Sequence, residues 1–319
     1  MNLLINLFMN PLLITSSVEL GLLYGLMTLG LFISYRILDI PDLTVDGSFT
    51  LGAAVSVVVA TMGHPILGIF LAGIAGSCAG VVTATLQTKL KVQPILAGIL
   101  TMTALYSINI MVMSGKPNMS FRGIETIFSK MKTMLNISFV PMILGISIVI
   151  LVMVVLALFL STQLGLAIRA TGDNEDMVRS SSVNVDFTKT VGLAIANSLV
   201  GVSGALIAQY QSYTDVSMGV GMVVMGIASL IIGEVIFGRK SIRRNIVAAI
   251  LGSIIYRLII SLAIEFNISA SSMKLITAII VTIAISYPVL KGKIKLTRQI
   301  SLRKSKQPRM KGSESHVKN

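Results

Sequence analysis

The longest charge-dense segment between two apolar stretches of this sequence occupies residues 163–189. Its charged members include Arg169, Asp173, Glu175, Asp176, Arg179 and Asp186. Placing such charges in hydrocarbon costs about 2.5–3.5 kcal/mol each, so the segment must lie in water. Asp173 or Asn174 can cap a short helix through Met177 and Val178, with two acids in its first turn where the helix dipole favours them. The pattern predicts a structured polar surface that faces the solvent; a plain solvated connector is the alternative.

A second kind of chemistry would come from charged side chains inside apolar spans, where they are costly and usually functional. Arg257 lies deepest, beside Tyr256 in a span of about 246–266. It could pair with a substrate carboxylate, but a structural partner such as Glu234 on the preceding span is favoured. Three other charged residues, Glu19, Glu265 and Lys274, lie near span ends where they can reach water. An ion-coupled carrier would show a denser relay of acids.

The segment 39–54 interrupts an apolar region with Asp39, Pro41, Asp42, Asp46 and Gly47. We predict a broken helix, because irregular backbone and carboxylates at membrane depth are tolerated only inside protein or beside a water-filled cavity. A plain interfacial loop followed by a short helix is the alternative. The polar residues predicted to lie along a solute path are Asp46, Ser48, Thr50, Asn197, Thr214, Ser217 and Arg257.

Enzyme chemistry finds little support in the residue patterns. The sequence has no H-E-x-x-H, no G-x-S-x-G and no phosphate-binding G-x-x-x-x-G-K-[ST]. We therefore predict no catalytic residues, and any ATP would be bound by a partner subunit. Two distant histidines form no metal-ligand spacing, and the single cysteine, Cys78, excludes an intrachain disulfide.

The elements that must position these residues follow from composition. With 54% hydrophobic and 12% charged residues and a mean hydropathy of +0.87, the chain is predicted to be an all-α, polytopic transmembrane bundle. The net charge of +13 could suggest nucleic acid, but the basic residues cluster in the tail and beside apolar spans, which indicates membrane topology instead. Three regions are predicted: an apolar segment 1–17, interpreted as interfacial or half-inserted; a transmembrane domain 18–290; and a disordered cytoplasmic tail 291–319.

The apolar pattern predicts about nine crossings, with eight to ten as the range. Fixing the basic tail in the cytoplasm places the run at 163–189 inside and the uncharged N-terminus outside the plasma membrane. Only the basic loop 114–136 disagrees with this orientation.

Leu43–Ala54 and Tyr213–Val224 are modestly similar in sequence, and we call them the echo segments. The spans before the two copies run in opposite directions in the predicted topology, which is typical of an inverted repeat around a translocation path. Chance similarity between glycine-rich segments is the alternative.

Two motifs of the sequence resemble those of a known family. Gly165, Arg169, Ala170, Gly172 and Asn174 match the G-x-x-x-R-A-x-G-x-N pattern of permease subunits in ABC importers of the branched-chain amino acid and ribose type. The D-L-T-V-D-G-S-F-T-L-G-A-A segment is similar to the family's D-L-S-V-G-S segment. The resemblance spans about 18–290 and is strongest to permeases described as tryptophan or tyrosine transport components.

The resemblance implies a permease homodimer, two cytoplasmic ATPase subunits and an external binding protein, together importing an amino acid such as an aromatic one. The ATPase-coupling loop, about 162–189, would use Gly165, Arg169, Ala170, Gly172, Asp173, Asn174, Glu175 and Asp176. Ser181 and Ser182 stand where the family usually has glycine, which leaves the end of the coupling helix open. The alternatives are a stand-alone ion-coupled transporter or channel, and a membrane scaffold whose tail binds anionic lipid.

Overall fold

The computed structural model describes residues 11–135, 139–239 and 241–265, together with isolated positions between 275 and 286. Within these residues, seven helical segments are long and apolar enough to cross a membrane, and an eighth apolar helix has 16 residues. The fold is an all-α helical bundle, as predicted. Residues 1–10, most of 266–290 and the tail from residue 291 lie outside the described residues, so the interfacial N-terminal segment, the disordered tail and the count of nine crossings stay predictions.

The first half of the bundle contains five long helices and one short one. They are α1 (Pro11–Leu31), continued by a π-helical turn (Phe32–Ile37), α2 (Thr44–Thr61), α3 (Pro65–Thr88), α4 (Pro94–Val112), α5 (Ile127–Leu135) and α6 (Val140–Phe159). A short strand, β1 (Asn118–Ser120), lies between α4 and α5. Helix α1 begins at Pro11, so the predicted boundary near residue 18 falls within a continuous helix.

The polar run and the second half follow. Their elements are α7 (Gln163–Asp173), α8 (Glu175–Ser180), α9 (Val185–Gln211), β2 (Tyr213–Asp215), α10 (Met222–Phe237) and α11 (Ile242–Glu265). Strands β1 and β2 pair antiparallel, with Met119 opposite Thr214. This two-stranded ribbon ties the loop after α4 to the end of α9.

The predicted break before α2 is confirmed. Helix α1 loosens into the π-helical turn, and residues 38–43 are not helical before α2 starts at Thr44. The Asp42 carboxylate accepts a hydrogen bond from the Thr44 amide at 2.9 Å, which satisfies one free amide of the new helix. Asp42 is only 2% exposed, so this carboxylate is enclosed by protein as the sequence argument required.

A second break separates α9 from α10. The chain leaves α9 at Gln211, forms β2, and passes through turns before α10 begins at Met222. The echo segments therefore differ locally, because Leu43–Ala54 is almost entirely helical whereas Tyr213–Val224 is strand, turn and then helix. The correspondence between the halves lies in their helix packing instead.

Close packing between small residues holds the bundle together. Helix α9 packs against both α2 and α3. A Cβ added at Gly201 of α9 would lie 2.5 Å from the Ala72 carbonyl oxygen, and one at Gly76 would overlap the Asn197 carbonyl. Since lipid tails are as apolar as leucine, such close approach, rather than the hydrophobic effect, stabilises helix pairs in a membrane.

In each half of the fold, one helix packs against two helices of the other half. Just as α9 packs against α2 and α3, helix α1 packs against α10 and α11. The α1–α11 contact also uses a glycine, because a Cβ at Gly21 would lie 2.7 Å from the Ile254 Cα. This reciprocal packing matches an internal repeat. The orientation of each half across the membrane stays a prediction.

Candidate coupling loop and solute path

Two short helices, α7 and α8, form the polar run at 163–189. The Thr162 hydroxyl caps α7 by accepting from the Gly165 amide at 3.2 Å. The Asn174 side chain caps α8 by accepting from the Met177 amide at 3.0 Å, which confirms one of the two predicted caps. Helix α8 ends at Ser180, and Ser182 has a positive φ of 59°, the conformation that glycine adopts most easily.

Two glycines of the motif let α7 touch neighbouring backbone. A Cβ at Gly165 would lie 2.5 Å from the Leu160 Cα at the end of α6. A Cβ at Gly172 would overlap the Ile37 carbonyl oxygen and lie 2.9 Å from the Leu38 Cα. The second contact places α7 directly against the break between α1 and α2.

Ion pairs connect α8 to α9. Glu175 accepts from Arg179 at 2.7 Å within α8 and from Lys189 of α9 at 2.6 Å. Arg179 also lies 3.7 Å from Asp186. The hydrogen bond from Lys189, followed by that from Arg179, lowers the pKa of Glu175 below its usual value. The side chains of Arg179 and Glu175 are both exposed to solvent, so this pair contributes modestly to stability.

We expect acid to loosen α8. Because the folded-state pKa of Glu175 is depressed, its stabilising contribution is complete above the unfolded pKa and is lost as pH falls through the lower folded value. The protection factors of the α8 amides, obtained from hydrogen exchange corrected for the intrinsic rate at each pH, should therefore fall below about pH 4, near the ordinary carboxylate range. In Glu175→Gln the protection factors should already be lower at neutral pH and lose this pH dependence; an unchanged profile would contradict a stabilising role of the Glu175 ion pairs.

The loop also exposes apolar side chains beside its charges. Leu166 is 50% exposed, Met177 54% and Phe187 51%. Val178, by contrast, is buried on the inner side of α8. An exposed apolar group rimmed by charged residues is typical of a protein-docking surface. We call the exposed side of α7, α8 and the start of α9 the loop surface.

Arg169 and Asp173 face a polar cavity of about 430 Å³ behind α7. Arg36 and Asp39 line the same cavity from the break after α1. Other predicted coupling residues lie differently: Asp176 is exposed, and Ala170 is half-buried in α7. The predicted coupling residues thus divide between an outward surface and a cavity at the helix break.

Two residues predicted to lie on the path belong to a buried polar network. The Ser48 hydroxyl donates to Asn197 Oδ1 at 2.7 Å, and Asn197 Nδ2 donates to the Asp42 carboxylate at 2.7 Å. Thr44 and Thr83 share a hydrogen bond of 2.7 Å nearby. All these side chains are at most 2% exposed, so Ser48 and Asn197 join α2 to α9 in this structure.

Asp46 and Thr50, in contrast, line a cavity of about 240 Å³. The Asp46 carboxylate accepts from the Gly221 amide at 2.9 Å and the Val223 amide at 2.8 Å. It therefore caps α10 from another helix, where a negative charge is favourable. The two breaks of the fold are joined at this carboxylate.

The remaining predicted path residues lie elsewhere. Thr214 is fully buried in β2 and its hydroxyl contacts the Ala53 carbonyl at 3.4 Å. Ser217 is exposed and donates to Asp215 in a turn. Neither is among the residues that line the Asp46 cavity.

The predicted pair between Arg257 and Glu234 is wrong. Glu234 instead lies 3.0 Å from Arg36 and also pairs with Arg239, joining the start of the first break to the end of α10. Arg257 stacks over the Tyr24 ring, with its guanidinium carbon 4.2 Å from the ring centroid. This cation–π contact suits an arginine in an apolar setting.

Glu19 also differs from expectation. It is 9% exposed and accepts from the Tyr210 hydroxyl at 2.8 Å instead of reaching water.

Asn109, which the sequence did not single out, is buried in α4 and lines the Asp46 cavity. The signal was present, since Asn109 is a lone amide between Ile108 and Ile110 in an apolar helix.

An apolar bundle with two broken helices, enclosed polar groups and a structured polar loop defines a multi-pass membrane protein. The chain belongs to the family of permease components of branched-chain amino acid transport systems, whose model matches residues 13–286. It is thus the permease component of a transport system, as the motifs in α7 and α2 predicted.

Individual relatives agree with this assignment. The chain is 38% identical over 269 residues to a tyrosine transport system permease protein of Clostridioides difficile, covering 84% of this chain and 88% of the relative. It is 34% identical over 277 residues to an uncharacterized protein of Rickettsia prowazekii, covering 85% and 96%. A ribose import permease protein of Haemophilus influenzae is 24% identical over 252 residues, covering 76% and 75%. No solved structure matches the chain significantly.

Proposed function

We propose that this chain forms the membrane path of an ABC-type importer for an amino acid and that separate ATPase subunits drive it. The observation that carries this proposal is the contact between Gly172 in the polar loop and the backbone of Ile37 at the first helix break. It connects a surface suited to docking with the irregular segment inside the bundle. A rigid displacement of α7 and α8 would act on that segment directly.

The ATPase would dock on the loop surface. Exposed Met177 and Phe187 supply apolar anchors, and the charged groups around Glu175 supply the polar rim that protein interfaces usually have. The importer would take its ATP-binding site from that partner. In this arrangement the polar loop and the basic tail lie in the cytoplasm, and the N-terminus lies outside.

The proposed substrate is an amino acid, with an aromatic one as the first choice. Support comes from the relative described as a tyrosine transport system permease, which aligns with most of this chain. An external binding protein would deliver the solute. The ribose permease among the more distant relatives makes a sugar the substrate class to test against.

A second copy of this chain would complete the path. Helix α4 exposes apolar side chains along its length, including Leu96 at 50% and Met111 at 74%. The same helix lines the Asp46 cavity through Met102 and Tyr106. Pairing two copies across α4 would cover this face and enclose the cavity between them.

Uptake by the reconstituted complex tests the proposal. Proteoliposomes containing this chain, its ATPase and its binding protein should accumulate radiolabelled tyrosine only when ATP is present on the side of the membrane that carries the ATPase. We expect accumulation at least about tenfold above the ATP-free control, because accumulation against a gradient requires the coupled drive. Uptake of ribose or a nucleoside without uptake of any amino acid would contradict the substrate class. ATP-independent uptake would favour an ion-coupled carrier.

A further inference from the structure

The cavity beside Asp46 contains a buried acceptor without a partner. Asn109 of α4 is 1% exposed and lines this cavity. Its Nδ2 donates to the Gly47 carbonyl at 3.3 Å. Among the residues that the structure describes, its Oδ1 has no hydrogen-bond partner. A buried amide oxygen is rarely left unpaired, so this atom indicates a missing donor.

The orientation of the Asn109 amide is set by its neighbour. Amide oxygen and nitrogen are assigned from hydrogen bonding, and a flip would place the side-chain oxygen against the Gly47 carbonyl oxygen. Two acceptors cannot form a hydrogen bond with each other. The free atom of Asn109 is therefore an acceptor, and what it lacks is an N–H or O–H donor.

Asp46 adds a charge to the same cavity. Its carboxylate accepts from two backbone amides of the α10 start, yet a carboxylate has about four acceptor sites. Asp46 is only partly buried, and it shares the cavity lining with Asn109. The cavity thus combines a negative charge with an unpaired neutral acceptor.

The rest of the lining is mainly apolar. Met102 and Tyr106 contribute from α4, and Val216 and Val220 contribute from the turn before α10. Tyr106 is 54% exposed, so the cavity opens at the exposed face of α4. Concave sites with apolar walls and a few converging polar groups are typical of small-molecule binding.

We propose that this cavity binds the ammonium group of a small solute whose remaining part is apolar or aromatic. An ammonium group has three donors and a positive charge, which match Asn109 Oδ1 and the Asp46 carboxylate together. A solute that carried a carboxylate in place of the amine would bring its oxygens against these two acceptors and be repelled. The inference rests on the proposed function and deepens it, because it assigns the solute's amino group to a named place on the path.

Binding of two matched probes to the reconstituted permease and ATPase, without the binding protein, tests this site. Radiolabelled tyramine carries an ammonium group and no carboxylate, whereas 3-(4-hydroxyphenyl)propionate carries a carboxylate and no amine. We expect the complex to bind tyramine and not the propionate. Asn109→Leu should weaken tyramine binding at least about tenfold, the effect of losing one hydrogen bond to a charged group.

Asp46→Asn provides a second variant, because it removes the charge while retaining one of the two side-chain oxygens that cap α10. It should also weaken tyramine binding at least about tenfold. Ser147→Ala is the control, since Ser147 is exposed on α6, outside the α4 face, and is not among the cavity-lining residues. Unchanged tyramine binding in both cavity variants, or equal binding of the two probes, would overturn the proposal and assign the cavity to water alone.

The two proposals fail separately. If the complex takes up no amino acid but tyramine binding depends on Asn109, the transported substrate is wrong and the ammonium site stands. If tyrosine uptake is intact and tyramine binding ignores both variants, the transport proposal stands and the site is wrong. Tyrosine uptake and tyramine binding should therefore be measured on the same preparations.

Discussion

Replacing Gly172 by valine is expected to lower ATP-driven tyrosine uptake at least about tenfold while the complex continues to hydrolyse ATP. A Cβ at this position would overlap the Ile37 carbonyl oxygen, and backbone cannot move aside as a flexible side chain can. Overpacking of this kind costs about 1–3 kcal/mol, so α7 must shift away from the helix break. Uptake and phosphate release, measured in the same proteoliposomes, separate lost coupling from lost catalysis.

A matched control is available outside the loop surface. Ser147→Val adds an apolar β-branched side chain at an exposed position of α6, away from Ile37. It should leave uptake within about twofold of the unmodified chain, because exposed substitutions usually change stability little. If Gly172→Val transports as well as Ser147→Val, the contact with Ile37 does not transmit the motion.

Asn197→Leu is expected to destabilise the buried core strongly. It removes the donor at 2.7 Å from the Asp42 carboxylate and the acceptor of the Ser48 hydroxyl. Asp42 is 2% exposed, so its charge cannot recover water. Leaving a buried charged group short of a partner costs about 3 kcal/mol, and the midpoint of thermal unfolding should fall by several degrees.

A double variant isolates the cause of that loss. Asp42→Asn removes the charge but keeps an acceptor for the Thr44 amide. If the unpaired charge is responsible, Asp42→Asn with Asn197→Leu should be more stable than the sum of the two single changes predicts. Strict additivity would show that the lost packing of Asn197, rather than the Asp42 carboxylate, explains the effect.

Several local features followed from residues close together in the chain. Asn174 caps α8 because a side-chain oxygen three residues before a free amide needs no tertiary contact. The break before α2 was also predictable, since Pro41 and the acids around it are poorly accommodated in a membrane helix. Helix α3 likewise begins at Pro65, because proline at the first helical position has no amide to leave unpaired.

Partners across the bundle were not predictable in the same way. Glu234 and Arg257 lie on consecutive apolar spans, which suggested a pair, yet Glu234 pairs with Arg36 and Arg257 stacks on Tyr24. Which face of each helix meets which neighbour depends on rotation about the helix axis and on close approach at glycines. Neither quantity can be read from spacing along one span.

The sequence by itself determined the membrane class, the helical bundle, the polar loop and the family resemblance, because hydropathy, charge and motifs are properties of contiguous residues. The tertiary structure alone decided that Gly172 touches Ile37, that Asn197 pairs with Asp42, and that Asn109 shares a cavity with Asp46. These pairs are distant along the chain. Their contacts exist only because small residues let α3, α4, α7 and α9 approach the two broken helices.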